Sequence, residues 1–402
     1  MIKYFRKIFF IYFILRFRKL DSNINFNDLN FRKLDFTNYK QIKFFIFKKN
    51  FYKINNKFVH NFEFLNFSNN LGGKIGINLS RDNIFAWYSM YKNKMAYPWS
   101  DDMTSKRLIN IIYNYEFINS TSNKFDSKKL SKIINHHMLR VMEEFNNKKF
   151  DEISSYDLVA YLLSVCILNK SNNKTLEYIN FIISNNIDDL GMHKSYNILE
   201  HAKYINNLNE IKNISLYFNL KLSNNIDDFL VKMTSILNEY FHHDGSIPLF
   251  NGANNNYTDI INKSLNSLEY LRSREFSNNK NGIAFYSDKE KKVFMDVIQP
   301  DSKKNSNNSN AGTLSFEFST LNEKIITNCG ASESYGKNPE YLRYSAAHST
   351  IILQNTNISE IKENQPHIKF PQSVTFNSSK DKDNVIFEGS HNGYANKFKR
   401  IL

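Results

Sequence analysis

The stretch Ser309-Asn-Ala-Gly-Thr-Leu-Ser-Phe-Glu-Phe-Ser319, continued through Lys324-Ile-Ile-Thr-Asn-Cys-Gly330 and Tyr341-Leu-Arg-Tyr-Ser-Ala-Ala-His-Ser-Thr-Ile-Ile-Leu353, decides how the chain is read. Leu314, Phe316 and Phe318 alternate with Ser315, Glu317 and Ser319, the period-2 pattern of a half-buried strand. Ile325 and Ile326 form a second short strand, which stops at the turn signal Asn328-Cys329-Gly330. Thr350 to Leu353 is β-branched and reads as a third strand. Strand and turn therefore alternate over some forty-five residues, which is a β-domain pattern.

Upstream, the period is helical. Leu108, Ile111, Ile112 and Tyr115 recur at i, i+3, i+4, i+7, and Leu130, Ile133, Ile134, His137, Met138 and Val141 do the same. Leu158 to Leu168 is apolar nearly all round and predicts a buried helix. Further helices are expected over 176–183, 205–218, 229–240 and 260–271, joined by Asn, Ser and Asp turns such as Ser171-Asn-Asn173. Short loops between successive helices predict antiparallel hairpins. After Phe276 the period changes to strands, at Ile283–Tyr286 and Val293–Ile298, followed by a polar loop from Pro300 to Ser309. Three segments result: a basic, poorly specified segment 1–59, a helical domain 60–276, and a β-domain 277–402.

The chain of 402 residues is long enough for two domains, and 41% hydrophobic residues allow it a core. The net charge of +14 suits an acidic partner. The lysines are scattered, with no arginine-rich or aromatic-interleaved RNA motif, so nucleic acid is not the expected partner. Two cysteines, Cys166 and Cys329, make neither a disulfide framework nor a thiolate zinc site. Residues 1–20 are Phe/Ile-rich but interrupted by Arg6, Lys7, Arg16, Arg18 and Lys19. The run Ile8–Leu15 is too short to span a bilayer and no small-residue cleavage site follows, so it reads as a basic amphipathic leader suited to peripheral membrane contact. No glycine-rich phosphate loop, nucleophile elbow or Cys/His triad is present.

Three linked motifs resemble the heparinase II/III family of polysaccharide lyases: Asn310 to Glu317, Asn328 to Gly330, and Arg343 to Thr350. Weaker resemblance continues through Trp87, Pro98-Trp99 and Arg107-Leu108, through Leu190-Gly191-Met192-His193, and through Asp244-Gly245 to Asn251. The resemblance implies an incomplete (α/α) toroid followed by a partial antiparallel β-sandwich, α+β and multidomain. It implies a bacterial cell-envelope or periplasmic protein, although no cleavable signal is clear and a cytoplasmic location remains compatible. The segment Phe387-Glu-Gly-Ser-His-Asn-Gly-Tyr394 resembles a hairpin in mid-sandwich, so the chain is expected to be truncated relative to the family.

The implied reaction is β-elimination on a uronic-acid-containing polysaccharide, such as a glycosaminoglycan. Such a site neutralises the uronate carboxylate, removes the C5 proton and protonates the leaving O4. The candidates by resemblance are His193 and Tyr196 in acid/base roles with His348 in support. Arg343, Asn310, Asn251, Tyr257 and Trp99 are the candidates for substrate contact, Trp99 also reading as a core anchor. The family's catalytic tyrosine falls here on Glu200, and Tyr196 is expected to share a face with it if the helix begins at Ser195. The positions of the family's zinc ligands are Asn310, Asn328 and His348; two are amides, poor zinc ligands, so no tight zinc is expected. His136-His137 and His242-His243 lack the i, i+4 spacing of a helical metal site. The alternative to a lyase is a non-catalytic relative that binds acidic glycans, or an inactive truncated product.

Overall fold

The computed structural model describes residues 53, 56–94, 97–99, 102–221, 225–254, 260–261, 264, 276–277, 282–300, 310–331, 340–361, 369–381 and 384–402. The leader 1–20, Tyr257 and most of the helix expected over 260–271 lie outside them. Among the described residues there are ten α-helices: α1 Lys57–His60, α2 Phe64–Leu71, α3 Gly73–Tyr91, α4 Met103–Tyr113, α5 Tyr115–Asn119, α6 Lys124–Asn147, α7 Ser155–Ile167, α8 Asn173–Asn185, α9 Ile198–Tyr217 and α10 Asn225–Glu239. Two antiparallel sheets follow, one in the order β1-β2-β3-β4-β5 and one in the order β6-β7-β8. Their strands are β1 Phe276–Ser277, β2 Ile283–Ser287, β3 Lys291–Asp296, β4 Phe316–Thr320, β5 Lys324–Ile326, β6 Val374–Asp381, β7 Asn384–His391 and β8 Phe398–Ile401. No helix among the described residues is long and apolar enough to cross a membrane.

By its contacts the chain forms two compact units, Met1–Ile179 with Glu210–Leu222, and Asn180–Asn209 with Ser223–Leu402. The second unit therefore holds both sheets and the segment that carries His193.

In the first unit the helices start where the sequence offers caps. The Asn123 side chain accepts from Asp126 N–H, and Ser154 with Asp157 forms a capping box ahead of α7. The core is organised around Arg107, which is fully buried. Its Nε donates to His137 Nε2 at 2.9 Å, and its guanidinium lies 4.1 Å from the Trp87 ring and 4.4 Å from the Trp99 ring. His137 Nε2 accepts that bond, so Nδ1 carries the proton and donates to Ile133 O at 2.7 Å. Trp87 Nε1–H donates to His60 Nδ1 at 2.9 Å. Burial, reinforced by Arg107 and Arg140, pushes His136 down to about 3, and burial beside Arg107 pushes His60 to about 4.

In the second unit, Ala284, Met295, Val297, Leu314, Phe376 and Phe387 make one core from residues of both sheets. The approach is close: a Cβ on Gly389 would sit 2.7 Å from Leu314 Cδ2 and 3.0 Å from Met295 Cε. The quoted strand exists as β4, but its polar face is the inner one. Glu317 and Ser319 are buried, at 0% and 1% exposure, while Phe316 and Phe318 are half-buried. The Glu317 carboxylate makes this possible. Oε1 accepts from Leu249 N at 2.9 Å, Asn328 N at 3.1 Å and Asn328 Nδ2 at 3.2 Å. Oε2 accepts from His242 Nε2 at 2.8 Å and Lys324 Nζ at 3.4 Å. The His242 Nδ1 lies 2.7 Å from Ser319 Oγ, whose hydroxyl donates to it. His242 is then neutral, as its lowered pKa from burial requires, and Lys324 supplies the counter-charge.

The third strand expected over 350–353 does not form. The chain there turns through Glu340–Arg343 and Ser345–Ala347 in 3-10 geometry, and Leu353 only bridges Thr356. Ser349 occupies the place of a strand partner: Phe316 N donates to its Oγ, and its own N–H donates to Asn328 Oδ1 at 2.9 Å. Strand β6 pairs with β7 from Val374↔His391 to Asp381↔Asn384.

Removing the Glu317 carboxylate strands several buried donors. Glu317→Ala is expected to cost about 3–5 kcal/mol of unfolding free energy, as breaking a buried charged pair does. Urea titration followed by circular dichroism measures it; a cost below about 1 kcal/mol overturns the assignment of Glu317 as the hub.

The histidines give a pH prediction. His60, His136, His193, His201, His348 and His391 are all held well below 6.5, at about 3 to 4, chiefly by burial. A lowered folded pKa means that the unfolded chain takes up protons first, so this stability is complete above pH 6.5 and lost as pH falls towards 4. Thermal unfolding scans should show a steep fall of the melting temperature below about pH 6.5; a melting temperature that keeps rising from about pH 6.5 to 4 would contradict it.

Candidate functional site

His193 sits at the end of a tight loop built by Asp188. Asp188 Oδ1 accepts from Leu190 N at 3.0 Å and Met192 N at 2.8 Å, and Lys194 N donates back to Asn186 O at 3.0 Å. Gly191 is required here: its φ is +96°, and a Cβ would lie 2.7 Å from Lys232 Cβ. His201, fully buried on α9, accepts His193 N–H on Nδ1 at 3.1 Å and donates from Nε2 to Met233 O at 2.8 Å. It is a neutral structural histidine that holds the loop.

The His193 ring is half-buried and lies 4.8 Å from the Tyr204 ring. Ser195 N–H donates to its Nδ1 at 3.3 Å, and Ser195 Oγ is 2.8 Å from the same atom. Nδ1 is therefore an acceptor, and the neutral ring carries its proton on Nε2. Burial pushes its pKa down to about 4, so it is uncharged at neutral pH. In this state His193 offers a hydrogen-bond donor.

Tyr196 is not on the helix. Helix α9 begins at Ile198 and is capped by Asn197, whose Oδ1 accepts Leu199 N at 2.9 Å; Tyr196 lies before it with φ +50°. It shares no helix face with Glu200, which is exposed and paired with Lys203 at 2.8 Å. The Tyr196 side chain is buried, and its hydroxyl donates to Asp188 Oδ2 at 3.1 Å. Burial first, then the Asp188 charge, raise its pKa far above the ordinary phenol range, so it keeps its proton.

Asn251 crosses to this turn. Its carbonyl accepts Asn197 Nδ2 at 3.0 Å, and its own Nδ2 donates to Tyr196 O at 3.3 Å. Asn251 is half-buried at φ +53°. The segment Leu249–Ala253 is fixed from the other side by Glu317 and by Ala331 N donating to Ala253 O at 2.8 Å.

Among the β-domain candidates, His348 is 8% exposed, donates from Nε2 to Leu342 O at 3.1 Å, and is lowered to about 4 by burial. Asn328 is 2% exposed, with Oδ1 accepting from Ser349 and Nδ2 donating to Glu317. Asn310 is 7% exposed, and neither of its side-chain polar atoms has a hydrogen-bond partner among the described residues. Arg343 is buried, and its carbonyl accepts Ala311 N at 2.8 Å. The three positions matching the family's zinc ligands thus present one free imidazole nitrogen and one uncommitted amide, a donor set that does not fit zinc. Trp99, a candidate for substrate contact that also read as a core anchor, packs as the anchor. It is 4% exposed, its Nε1 donates to Tyr91 O at 2.7 Å, and guanidinium groups of Arg107 and Arg140 lie 4.4 and 3.8 Å from its ring. It is a core anchor.

The sequence carries no signal for Lys324 and Asp188, and shows His242 only as half of an adjacent histidine pair. Glu317 was inside the quoted motif, but nothing in the pattern said that it faced inward.

Residues 272–401 match the family described as heparinase II/III-like, C-terminal. No curated protein sequence matches the chain. Solved structures do: a heparinase III with TM-score 0.70 and 12% identity over 99% of this chain and 73% of that one. A second heparinase III has TM-score 0.59 and 10% identity over 87% of this chain and 63% of that one. A heparan sulfate lyase from Pedobacter heparinus has TM-score 0.52 and 12% identity over 87% of this chain and 61% of that one. The chain has the heparinase III-like fold, an (α/α) toroid followed by a β-domain. Its last third is a heparinase II/III-like C-terminal domain.

The His193 loop depends on Gly191. Gly191→Ala is expected to cost about 1–3 kcal/mol through strain and overlap with Lys232, read by thermal unfolding; an unchanged melting temperature would remove the steric argument.

Proposed function

We propose that the protein acts on an acidic, uronic-acid-containing polysaccharide as a heparinase III-like eliminating lyase. The observation that carries this reading is the heparinase III-like fold across 99% of the chain, with a neutral histidine on its helical loop. Heparan sulfate is the first substrate to try, because a structural neighbour is a heparan sulfate lyase.

The residues take the following roles in this reading. His193 and Tyr196 share the acid/base work: the neutral His193 ring takes the C5 proton on Nδ1, once its contacts with Ser195 are exchanged for the substrate. Tyr196 keeps its proton at neutral pH and so suits protonation of the leaving O4, once its bond to Asp188 is exchanged for the substrate. His348 supports the β-domain side together with Arg343 and Asn310, and Asn251 and Tyr257 contact substrate from the helical side. No tight zinc takes part, since Asn328 is committed to Glu317 and Ser349. A periplasmic or cell-envelope location and membrane contact through residues 1–20 belong to the same proposal.

One observation favours a second reading, a non-catalytic glycan-binding relative. Tyr196 is buried and tied to a carboxylate, while Glu200 stands where the family's catalytic tyrosine falls.

Ultraviolet absorbance of unsaturated uronates, after incubation with a panel of acidic polysaccharides, separates the two. The wild type should produce a rise, His193→Ala should abolish it, and Tyr196→Phe should lower the rate at least about a hundredfold, the scale of lost general-acid catalysis. Binding without any rise moves the protein to the second reading; neither binding nor a rise rejects both.

A further inference from the structure

In the first unit, His136 Nε2, Arg140 Nε, Arg140 Nη1 and Arg107 Nη2 are buried and have no hydrogen-bond partner among the described residues. The His136, Arg140 and Arg107 side chains belong to residues that are 0%, 3% and 0% exposed. His136 and Arg140 stand one turn apart on α6 and share a face of that helix. All three side chains pack on one indole. The Arg140 and Arg107 guanidiniums lie 3.8 and 4.4 Å from the Trp99 ring centroid, and the His136 ring lies 5.5 Å from it.

The bonds these groups already make define what is left over. Arg140 Nη2 donates to Lys94 O at 3.1 Å, which leaves Nε–H and Nη1–H. Arg107 gives Nε–H to His137 and Nη1–H to His60 O, which leaves Nη2–H. His136 Nδ1 lies 2.8 Å from the Tyr88 hydroxyl. With that hydroxyl donating, the imidazole proton sits on Nε2. Every leftover atom is then a donor, and a buried donor without an acceptor is destabilising.

Charge leads the same way. A guanidinium keeps its proton, and neither Arg107 nor Arg140 has an ion pair among the described residues. Glu144, one turn beyond Arg140 on α6 and buried, is the carboxylate whose charge acts on both. One negative charge against two positive ones leaves a positive charge in the core, where charge without a partner is strongly unfavourable. A water molecule would satisfy donors and leave that charge. A monoanion meets both needs. The approach is basic as well: Lys92 and Lys94 are exposed just after α3, and Lys94 is the residue whose carbonyl takes Arg140.

We propose that His136 and Arg140, together with Arg107, hold a small monovalent inorganic anion of the chloride class beside Trp99, inside the first unit. The ion would tie α6 to α4 and to the segment that carries Trp99, and it is independent of the polysaccharide reading above.

The chain has two tryptophans, Trp87 and Trp99, both buried and both against Arg107, so tryptophan emission reports on this cluster. Iodide is the probe, a halide that quenches an indole on contact. An iodide held by Arg140 comes within reach of Trp99, since the guanidinium itself is 3.8 Å from the ring. With the folded full chain at constant ionic strength, iodide should quench to a plateau. Acrylamide and caesium, quenchers that are not anions, should act weakly and linearly, because both indoles are buried. Chloride should displace iodide and restore the emission. Arg140→Met and His136→Phe should each weaken iodide at least about tenfold, the scale of one hydrogen bond to a charged group. His136→Phe keeps an aromatic ring against Trp99.

Iodide quenching as weak and linear as that of acrylamide means that the donors hold water only, and it overturns the proposal. So does a plateau that chloride fails to reverse, or one that survives both variants, which places the ion on surface lysines. If circular dichroism shows that Arg140→Met does not fold, His136→Phe decides alone: an unchanged iodide affinity rejects the site.

Discussion

The second unit depends on one buried carboxylate. Glu317 has no exposure to water and accepts hydrogen bonds from the backbone of two separate segments, from an amide, an imidazole and a lysine. A charge in that position is tolerated because its oxygens are satisfied by fixed donors, and Lys324 balances its sign. The consequence is architectural. Leu249 is held at the start of the turn that ends in Asn251, and Asn328 is held where it accepts Ser349. One side chain thus ties the loop after α10, strands β4 and β5, and the 3-10 segment before Ser349 into a single arrangement.

The candidate site inherits its order from that arrangement. His193 is placed by His201 behind it, by Asp188 below it and by the Asn251 turn beside it. Each of these holds a proton in a defined place: His201 is a donor to Met233, Tyr196 a donor to Asp188, and His193 a donor from Nε2. The first unit follows the same logic with opposite charge. Burial first, and then the charge of Arg107, enclosed by Trp87 and Trp99, keep the surrounding imidazoles neutral, and Arg107 uses His137 as an acceptor. Buried histidines in this chain serve mostly as directional hydrogen-bonding groups, which is why acid should loosen both units.

Helix positions were legible because burial imposes a 3.6-residue period that survives without neighbours. Leu130 to Val141 lies inside α6 and Leu158 to Leu168 nearly coincides with α7. Strand alternation at Phe316–Ser319 was equally legible, but the alternation identifies a pleat and leaves open which side faces in. Here the polar side does, since His242 and Lys324 arrive from distant positions to satisfy it. Thr350 to Leu353 has strand propensity and no neighbouring strand to pair with among the described residues, so Ile352 and Leu353 stay exposed.

The sequence by itself determined the order of helical and β parts, the turn at Gly330, and the three motifs that lie within the segment matching the heparinase II/III-like C-terminal model. These are local properties, set by periodicity, by glycine's access to positive φ and by residue identity. Tertiary structure alone decided that Tyr196 precedes its helix, that Trp99 is a core anchor and that Glu317 is a buried hub. Each of those joins residues far apart in the chain, or turns on burial and solvation, which depend on what folds against a side chain.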